Sequence, residues 1–279
     1  LGAPVAVRLH GPHFLGKVDE MGPEDHIRIK AEGVAIREAE AITSPSPGLL
    51  EETKTYYGGA GAAHRAIPNP VEFPSDTDLW RFEACDPHLV LFVGRFDLRK
   101  GADVTLAAFA MVAEKNPRAR LVMAGPDRGI VGDDGALIHF PEYAQANLSE
   151  DVRDRVEFLG SVPYESLLEL RRRACVYVST SRFECCAYAA MEALAAACPV
   201  ILSETFGPPE LLNLGKDILT APIGDAAGIA KHIESVLGDP ERAQALSAAG
   251  RAAAERHFAP EIVAGQLAAF YKEVLAARS

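Results

Sequence analysis

Cysteine is scarce in this chain of 279 residues, and the five that occur form no even-numbered framework. None stands in a C-x-x-C pair or has histidine at metal-ligand spacing, which excludes a disulfide scaffold and a structural zinc site. Cys85, Cys175, Cys185, Cys186 and Cys198 sit in or beside apolar segments and are expected to be buried, reduced thiols. Long hydrophobic runs are absent too: no stretch approaches the roughly 20 apolar residues of a membrane-spanning helix, and the first residues carry no signal-peptide pattern. Positive charge is short, with 28 Lys and Arg against 39 Asp and Glu and a formal net charge of -11. Without a basic stripe a nucleic-acid partner is excluded, because phosphate neutralisation supplies most of that affinity. The one compact basic run, Arg171 to Arg173, is expected to be the solvated end of a helix. These absences predict a cytoplasmic protein, with a peripheral seat at the inner face of the membrane as the alternative.

What is present is an ordinary globular composition, 48% hydrophobic and 24% charged. At ~150 residues per domain the length predicts two domains. Pro4 to Leu9 has the pattern of a short strand ending in His10, Gly11 and Pro12; Glu24 to Glu40 is helical in composition, Ala41 to Thr43 strand-like, and Pro47 to Tyr57 helical again. Gly58, Gly59 and Gly61 follow a helix rather than a strand, so they are expected to end that helix, not to form a phosphate-binding glycine fingerprint. Arg65 to Ile67 is a short extended piece. Pro68, Pro70, Pro74 and Pro87 punctuate an expected linker, and the D-x-D of Asp76 and Asp78 within it is expected to be a turn and not a metal site. From His88 the alternation is regular. Leu89 to Val93, Leu121 to Ala124, Val156 to Leu159, Cys175 to Val178 and Pro199 to Leu202 are expected strands separated by helix-sized patterns, with a less regular connection from Asp127 to Asn147 and a helical tail from Asp225. This order predicts an α/β protein with a doubly wound parallel sheet.

The stretch from Ser179 to Glu210 holds the greatest density of chemically capable residues. A strand empties into a loop carrying Glu184, and the Ala, Met and Leu that follow predict a helix starting just after Glu184 and carrying Glu192. A helix N-terminus suits a phosphate, and two carboxylates suit sugar hydroxyls. Arg95 and Lys100 stand in a glycine-bounded loop after a strand, placed either for a diphosphate or as solvated surface cations. His10, at a strand's carboxyl end, is a site candidate.

Gly94-Arg95-x4-Lys100-Gly101, Ser181-x-x-Glu184, Glu184-x7-Glu192, Pro199-Val200 and Gly207-x-Pro209-Glu210 occur in an order and spacing that resembles the retaining glycosyltransferases of family 4, which have the GT-B fold. The resemblance extends to Val5 to Pro12, Ala41 to Ser46 and Ile67 to Val71, where Pro70 replaces the usual Gly. It implies a complete C-terminal Rossmann-like donor domain at 81–258, an incomplete N-terminal domain with its linker at 1–80, and a C-terminal helix at 259–279 that packs back on the N-terminal domain. Arg95 and Lys100 would neutralise the donor diphosphate, Glu184 would hold the donor sugar, Glu192 the ribose, and His10 would face the reacting sugar. Gly94, Gly125, Cys185 and Tyr188 would help to bind the donor, backbone groups near Cys186 and Ala187 would meet its sugar or phosphate, and Ser161, Val162 and Pro163 would line the base. The implied donor is a UDP-, GDP- or ADP-sugar, the acceptor a carbohydrate or glycolipid, and neither metal nor cofactor is implied.

The departures from the family pattern are Cys186-Ala187 for Phe-Gly, Ala197 for Gly, and Phe206 for the first of two glycines. Because the family's early strands have no counterpart here and the chain opens on Leu1, it is expected to be a truncation or to be completed by another chain. An inactive nucleotide-sugar-binding or assembly subunit is the alternative to an enzyme, and a dinucleotide-dependent oxidoreductase is disfavoured because no G-x-G-x-x-G joins a strand to a helix.

Overall fold

The computed structural model describes residues 4–15, 22–58, 63–132 and 135–277. Gly59 and Gly61 lie outside the described residues.

The first unit contains β1 (Ala6–Arg8), α1 (Pro23–Glu38), β2 (Ala41–Ser44), α2 (Pro47–Tyr57) and β3 (Ala63–Ala66). Its three strands form a parallel sheet in the order β1-β2-β3. Helix α2 starts where Ser46 accepts a hydrogen bond from Leu49 N at 3.3 Å and Pro47 takes the first helical position. It ends at Gly58 with φ 76°, as a helix-ending glycine should.

The second unit runs β4 (Asp86–Val93), α3 (Ala102–Lys115), β5 (Arg120–Ala124), β6 (Ile130–Val131), β7 (Leu137–Ile138), α4 (Phe140–Asn147), α5 (Glu150–Arg153), β8 (Val156–Phe158), α6 (Tyr164–Arg173) and β9 (Ala174–Ser179). It continues with α7 (Tyr188–Ala195), β10 (Val200–Ser203), α8 (Pro208–Leu211), β11 (Leu219–Ala221), α9 (Ala226–Leu237), α10 (Pro240–Phe258) and α11 (Pro260–Ala276). Six strands pair in parallel in the order β11-β10-β9-β4-β5-β8. The order reverses between β4 and β9. In an open α/β sheet that reversal opens a crevice at the strands' carboxyl ends, where ligands bind. The loops leaving β4 and β9 are those that carry Arg95, Lys100 and Glu184.

Several elements differ from expectation. Strand β4 begins at Asp86 and takes in Pro87, because a register shift between Asp86 and Val90 accommodates a residue that cannot donate to the ladder. The expected linker is tied to the second unit: Val71 and Trp80 are buried, and the Trp80 indole donates to Ala174 O at 2.7 Å. The connection 127–147 contains the antiparallel β6-β7 hairpin and α4. Helix α7 begins at Tyr188, three residues later than expected, because Ala187 takes a left-handed conformation with φ 52°. Arg171, expected at a solvated helix end, has no exposed surface, while Arg172 and Arg173 are exposed.

Helix α11 crosses to the first unit. Val263, Phe270 and Val274 pack with Ala41 and Ile67, and Arg65 pairs with Glu273 at 2.6 Å. A second link joins the units at the other end, where Glu210 accepts from its own helix start, Gly207 N at 2.8 Å, and from Gly48 N at 2.6 Å.

Candidate active site

The loop after β4 is locked to the loop after β9 through backbone contact. Gly101 has φ 67°, and a Cβ there would stand 1.9 Å from Thr180 O; Gly125 has φ 144°, and a Cβ would stand 2.1 Å from Gly94 O. Only glycine fits both positions. Thr180 Oγ1 donates to Gly101 O at 2.6 Å and meets Thr105 Oγ1 at 2.6 Å, which fastens the start of α3 to the end of β9.

The loop between Gly94 and Gly101 presents its cations outward. Asp97 organises it: one carboxylate oxygen accepts from Lys100 N at 2.7 Å, and the other stands 2.7 Å from Arg95 Nε. Lys100 Nζ pairs with Glu184 Oε1, and Ser181 Oγ donates to the same oxygen at 2.8 Å. Glu184 is buried, so the lysine and the serine hold its negative charge away from water.

These groups line a cavity of about 580 Å³, within the usual size range of small-molecule sites. Arg95, Lys100, Glu184 and His10 all face it. So do Gly94 and Gly125 from the sheet's carboxyl edge, Ser161 and Val162 from the loop before α6, and Cys185, Cys186, Ala187 and Tyr188 from the loop entering α7. His10 and Gly11 bring the first unit to the cavity; a Cβ on Gly11 would lie 3.3 Å from Cys185 Sγ.

Two residues expected at the donor are not among those lining the cavity, Pro163 and Glu192. Pro163 caps the start of α6, just past Ser161 and Val162. Glu192 stands one turn beyond Tyr188 on the same face of α7, and its Oε2 is held by Arg171 Nη2. Asp76 and Asp78 occupy a short 3-10 turn, where Ser75 Oγ donates to Asp78 at 2.6 Å. Among the described residues no group of three or more His, Cys, Asp or Glu could hold a metal ion.

Sequence reasoning missed Arg99 and Asn69, which also line the cavity. Arg99 adds a third cation to the loop, its guanidinium 5.1 Å from the centre of the Phe183 ring; its place next to Lys100 was the available signal. Asn69 is set by a contact no local pattern reveals. Arg8 donates to Ile67 O at 3.1 Å, to Pro68 O at 3.2 Å and to Asn69 Oδ1, and Asn69 Nδ2 then donates to Cys186 Sγ at 3.4 Å. This chain of contacts fixes the segment joining the two units against the loop entering α7.

The two thiols at the cavity are shifted toward their protonated form. Burial pushes Cys185 up to about 11, the carboxylate of Glu184 adding a little and Arg99 opposing; burial also raises Cys186. A thiol held protonated is a poor nucleophile, so the chemistry available here belongs to the cations and Glu184. Ala187 and Ala197 are the only residues other than glycine with positive φ among the described residues, at 52° and 63°. Both stand where the resembling family has glycine. The surrounding structure therefore imposes a backbone that alanine disfavours.

Comparison with known proteins gives a consistent result. The family model described as Glycosyl transferases group 1 matches residues 81–253. The glycogen synthase of Mycobacterium tuberculosis is 29% identical over 240 residues, covering 85% of this chain and 55% of that protein. The structure of sucrose-phosphate synthase from Thermosynechococcus elongatus matches with a TM-score of 0.74 at 26% identity, covering 98% of this chain and 68% of that one. The Anabaena protein Alr3699/HepE, solved in complex with UDP and glucose, matches with a TM-score of 0.73 at 17% identity over 97% of this chain and 72% of that one, a likeness of fold. These neighbours share the GT-B architecture, and the two parallel-sheet units are Rossmann-like units of that class. The chain spans between half and two thirds of the length of the curated relatives it matches.

Proposed function

This chain belongs to the group 1 glycosyl transferases, and from that premise we propose that it moves a sugar from a nucleoside-diphosphate sugar to a carbohydrate or glycolipid acceptor with retention of anomeric configuration. The observation that carries the proposal is the convergence of Arg95, Arg99 and Lys100 with Glu184 on one cavity at the sheet's switch point. The diphosphate lies against these cations. When the bond from the sugar's anomeric carbon to the diphosphate oxygen breaks, the electron pair stays on that oxygen, and the cations stabilise the charge growing there. Glu184 faces the sugar, where a carboxylate accepts from hydroxyls and offsets positive charge developing on the ring. His10 approaches from the first unit, on the acceptor side. Ser161 and Val162 lie toward the base, and Glu192 toward the ribose.

The UDP and glucose named with the Anabaena structure, a neighbour in fold, support the reading of a nucleotide-sugar donor. The chemistry as proposed uses fixed cations and needs no metal. Ala187, which lines the cavity at the entry to α7, bears on donor choice.

A thermal-shift screen with UDP-, GDP- and ADP-sugars tests the proposal. A ligand at 100 times its dissociation constant adds about 2.7 kcal/mol of apparent stability, which is readily seen. Stabilisation by one nucleotide sugar, followed by a transferred product whose anomeric configuration matches the donor by NMR, is the expected result. No shift with any of the three classes, or a product of inverted configuration, would contradict it.

A further inference from the structure

Arg171 has no exposed surface, and its Nε and Nη1 have no hydrogen-bond partner among the described residues. Taking a guanidinium out of water is costly unless a fixed counter-charge and good hydrogen bonds compensate. Tyr177 and Cys198 feel its charge, yet burial keeps both protonated and neutral, so neither supplies the counter-charge. Its ion partner is Glu192, through Nη2 to Oε2. The carboxylate is the outward member, its side chain 27% exposed, and its Oε1 carries no hydrogen bond from the described residues.

A buried ion pair adds little stability over an apolar pair of the same shape. What it does provide is a fixed point that restrains the carboxylate. Helix α7 sets the direction: Tyr188 lines the cavity, and Glu192 follows four residues later on the same face. Arg171 reaches this carboxylate from α6, whose first turn follows the Ser161 and Val162 loop of the same cavity wall.

We propose that Arg171 is a positioning residue, which pins the Glu192 carboxylate through Oε2 and leaves Oε1 directed to accept from the vicinal hydroxyls of the donor's ribose. The inference rests on the nucleotide-sugar proposal above. It assigns to a buried arginine the discrimination between ribose and deoxyribose. A free glutamate side chain would reach the same hydroxyls only after losing rotamer freedom, so the bound diol is favoured when the arginine has already fixed the carboxylate.

The test is calorimetric titration of UDP, GDP and ADP and of their 2′-deoxy counterparts into the parent chain, Arg171→Met and Arg171→Lys. Methionine preserves the buried volume without the charge, and melting temperature is recorded for each variant as the structural control. A hydrogen bond to a charged group corresponds to about tenfold or more in affinity, so the parent should prefer the ribonucleotide by about that factor. Arg171→Met should lose most of that preference while its affinity for the deoxynucleotide stays unchanged, a split that a merely structural loss would not produce. If Arg171→Met does not fold, Arg171→Lys carries the measurement, because an ammonium on a shorter stem falls short of the position from which Nη2 meets Glu192 Oε2; its preference should fall. A preference equal to the parent's in the folded variant overturns the proposal. So does a parent chain that binds a diphosphate with no preference for ribose, although the nucleotide site then stands. A parent that binds none of the six overturns both.

Discussion

Lys100 with Glu184, which line the cavity, and Arg171 with Glu192, which join α6 to α7 beyond its lining, are both cation–carboxylate pairs, but they bury opposite members. At the mouth the carboxylate is the sheltered partner, its side chain 10% exposed against 28% for Lys100. Beneath α7 the cation is sheltered, fully buried against 27% for Glu192. The outward group is the more open to a ligand: a cation at the mouth, where a diphosphate would lie, and a carboxylate at α7, where hydroxyls would. The inward group anchors its partner, and Glu184 lines the cavity as well. The two differ further in what happens when the outward group is removed, since a stranded carboxylate can be neutralised by a proton and is still served by Ser181, whereas a guanidinium keeps its charge.

That difference can be broken by substitution. Glu192→Ala strands Arg171 and should cost about 3–5 kcal/mol of unfolding free energy in urea titrations. A loss below 1 kcal/mol would show that the buried guanidinium does not depend on Glu192. Lys100→Ala should cost less, about 1–3 kcal/mol for a polar group left short of a partner. Its larger effect should be functional, a fall in nucleoside-diphosphate affinity of about tenfold to a hundredfold. Equal stability losses in the two variants would erase the contrast between the pairs.

Smaller effects sharpen it. Ala187→Gly relieves a left-handed alanine at the entry to the carboxylate's own helix and should raise stability by about 1 kcal/mol, a gain in melting temperature of roughly 2–4 °C. A lower melting temperature would mean that the methyl packs well enough to outweigh its backbone. The fully outward pair sets the baseline. Arg65 and Glu273 are 41% and 58% exposed, and Glu273→Ala should change stability by less than about 1 kcal/mol. A greater loss would indicate that the contact between α11 and the first sheet relies on charge rather than on Val263, Phe270 and Val274.

The fold was legible because its signals are local. Apolar runs such as Leu89 to Val93 and Cys175 to Val178, separated by helix-length patterns, announce buried parallel strands, and the loops that follow them must reach the sheet's carboxyl edge. That pattern leaves Lys100 and Glu184, 84 residues apart, open, and only the motif spacing that resembles the family assigns them to one site. Arg171 could not be read. Three consecutive arginines look solvated, and only the rotation of α6 against β9 and α7 decides that the first turns inward while the next two stay in water. The late start of α7 was hidden for a related reason: the composition from Cys186 to Ala196 favours a helix throughout, and tertiary contact holds Ala187 left-handed against that preference. Two-residue strands such as β6 and β7 are too short to carry a period, and the reach of Glu210 to Gly48 spans 162 positions with no local trace.

In the proposed function the cations of the Gly94 to Gly101 loop hold a diphosphate. Calorimetric titration of UDP, GDP and ADP into the parent chain and into Arg95→Ala/Lys100→Ala tests it most directly. Saturable binding of at least one diphosphate to the parent, weakened a hundredfold or more in the double variant at about 1.5–3 kcal/mol for each charged hydrogen bond lost, is the predicted result. A diphosphate that binds both proteins equally well would contradict the account.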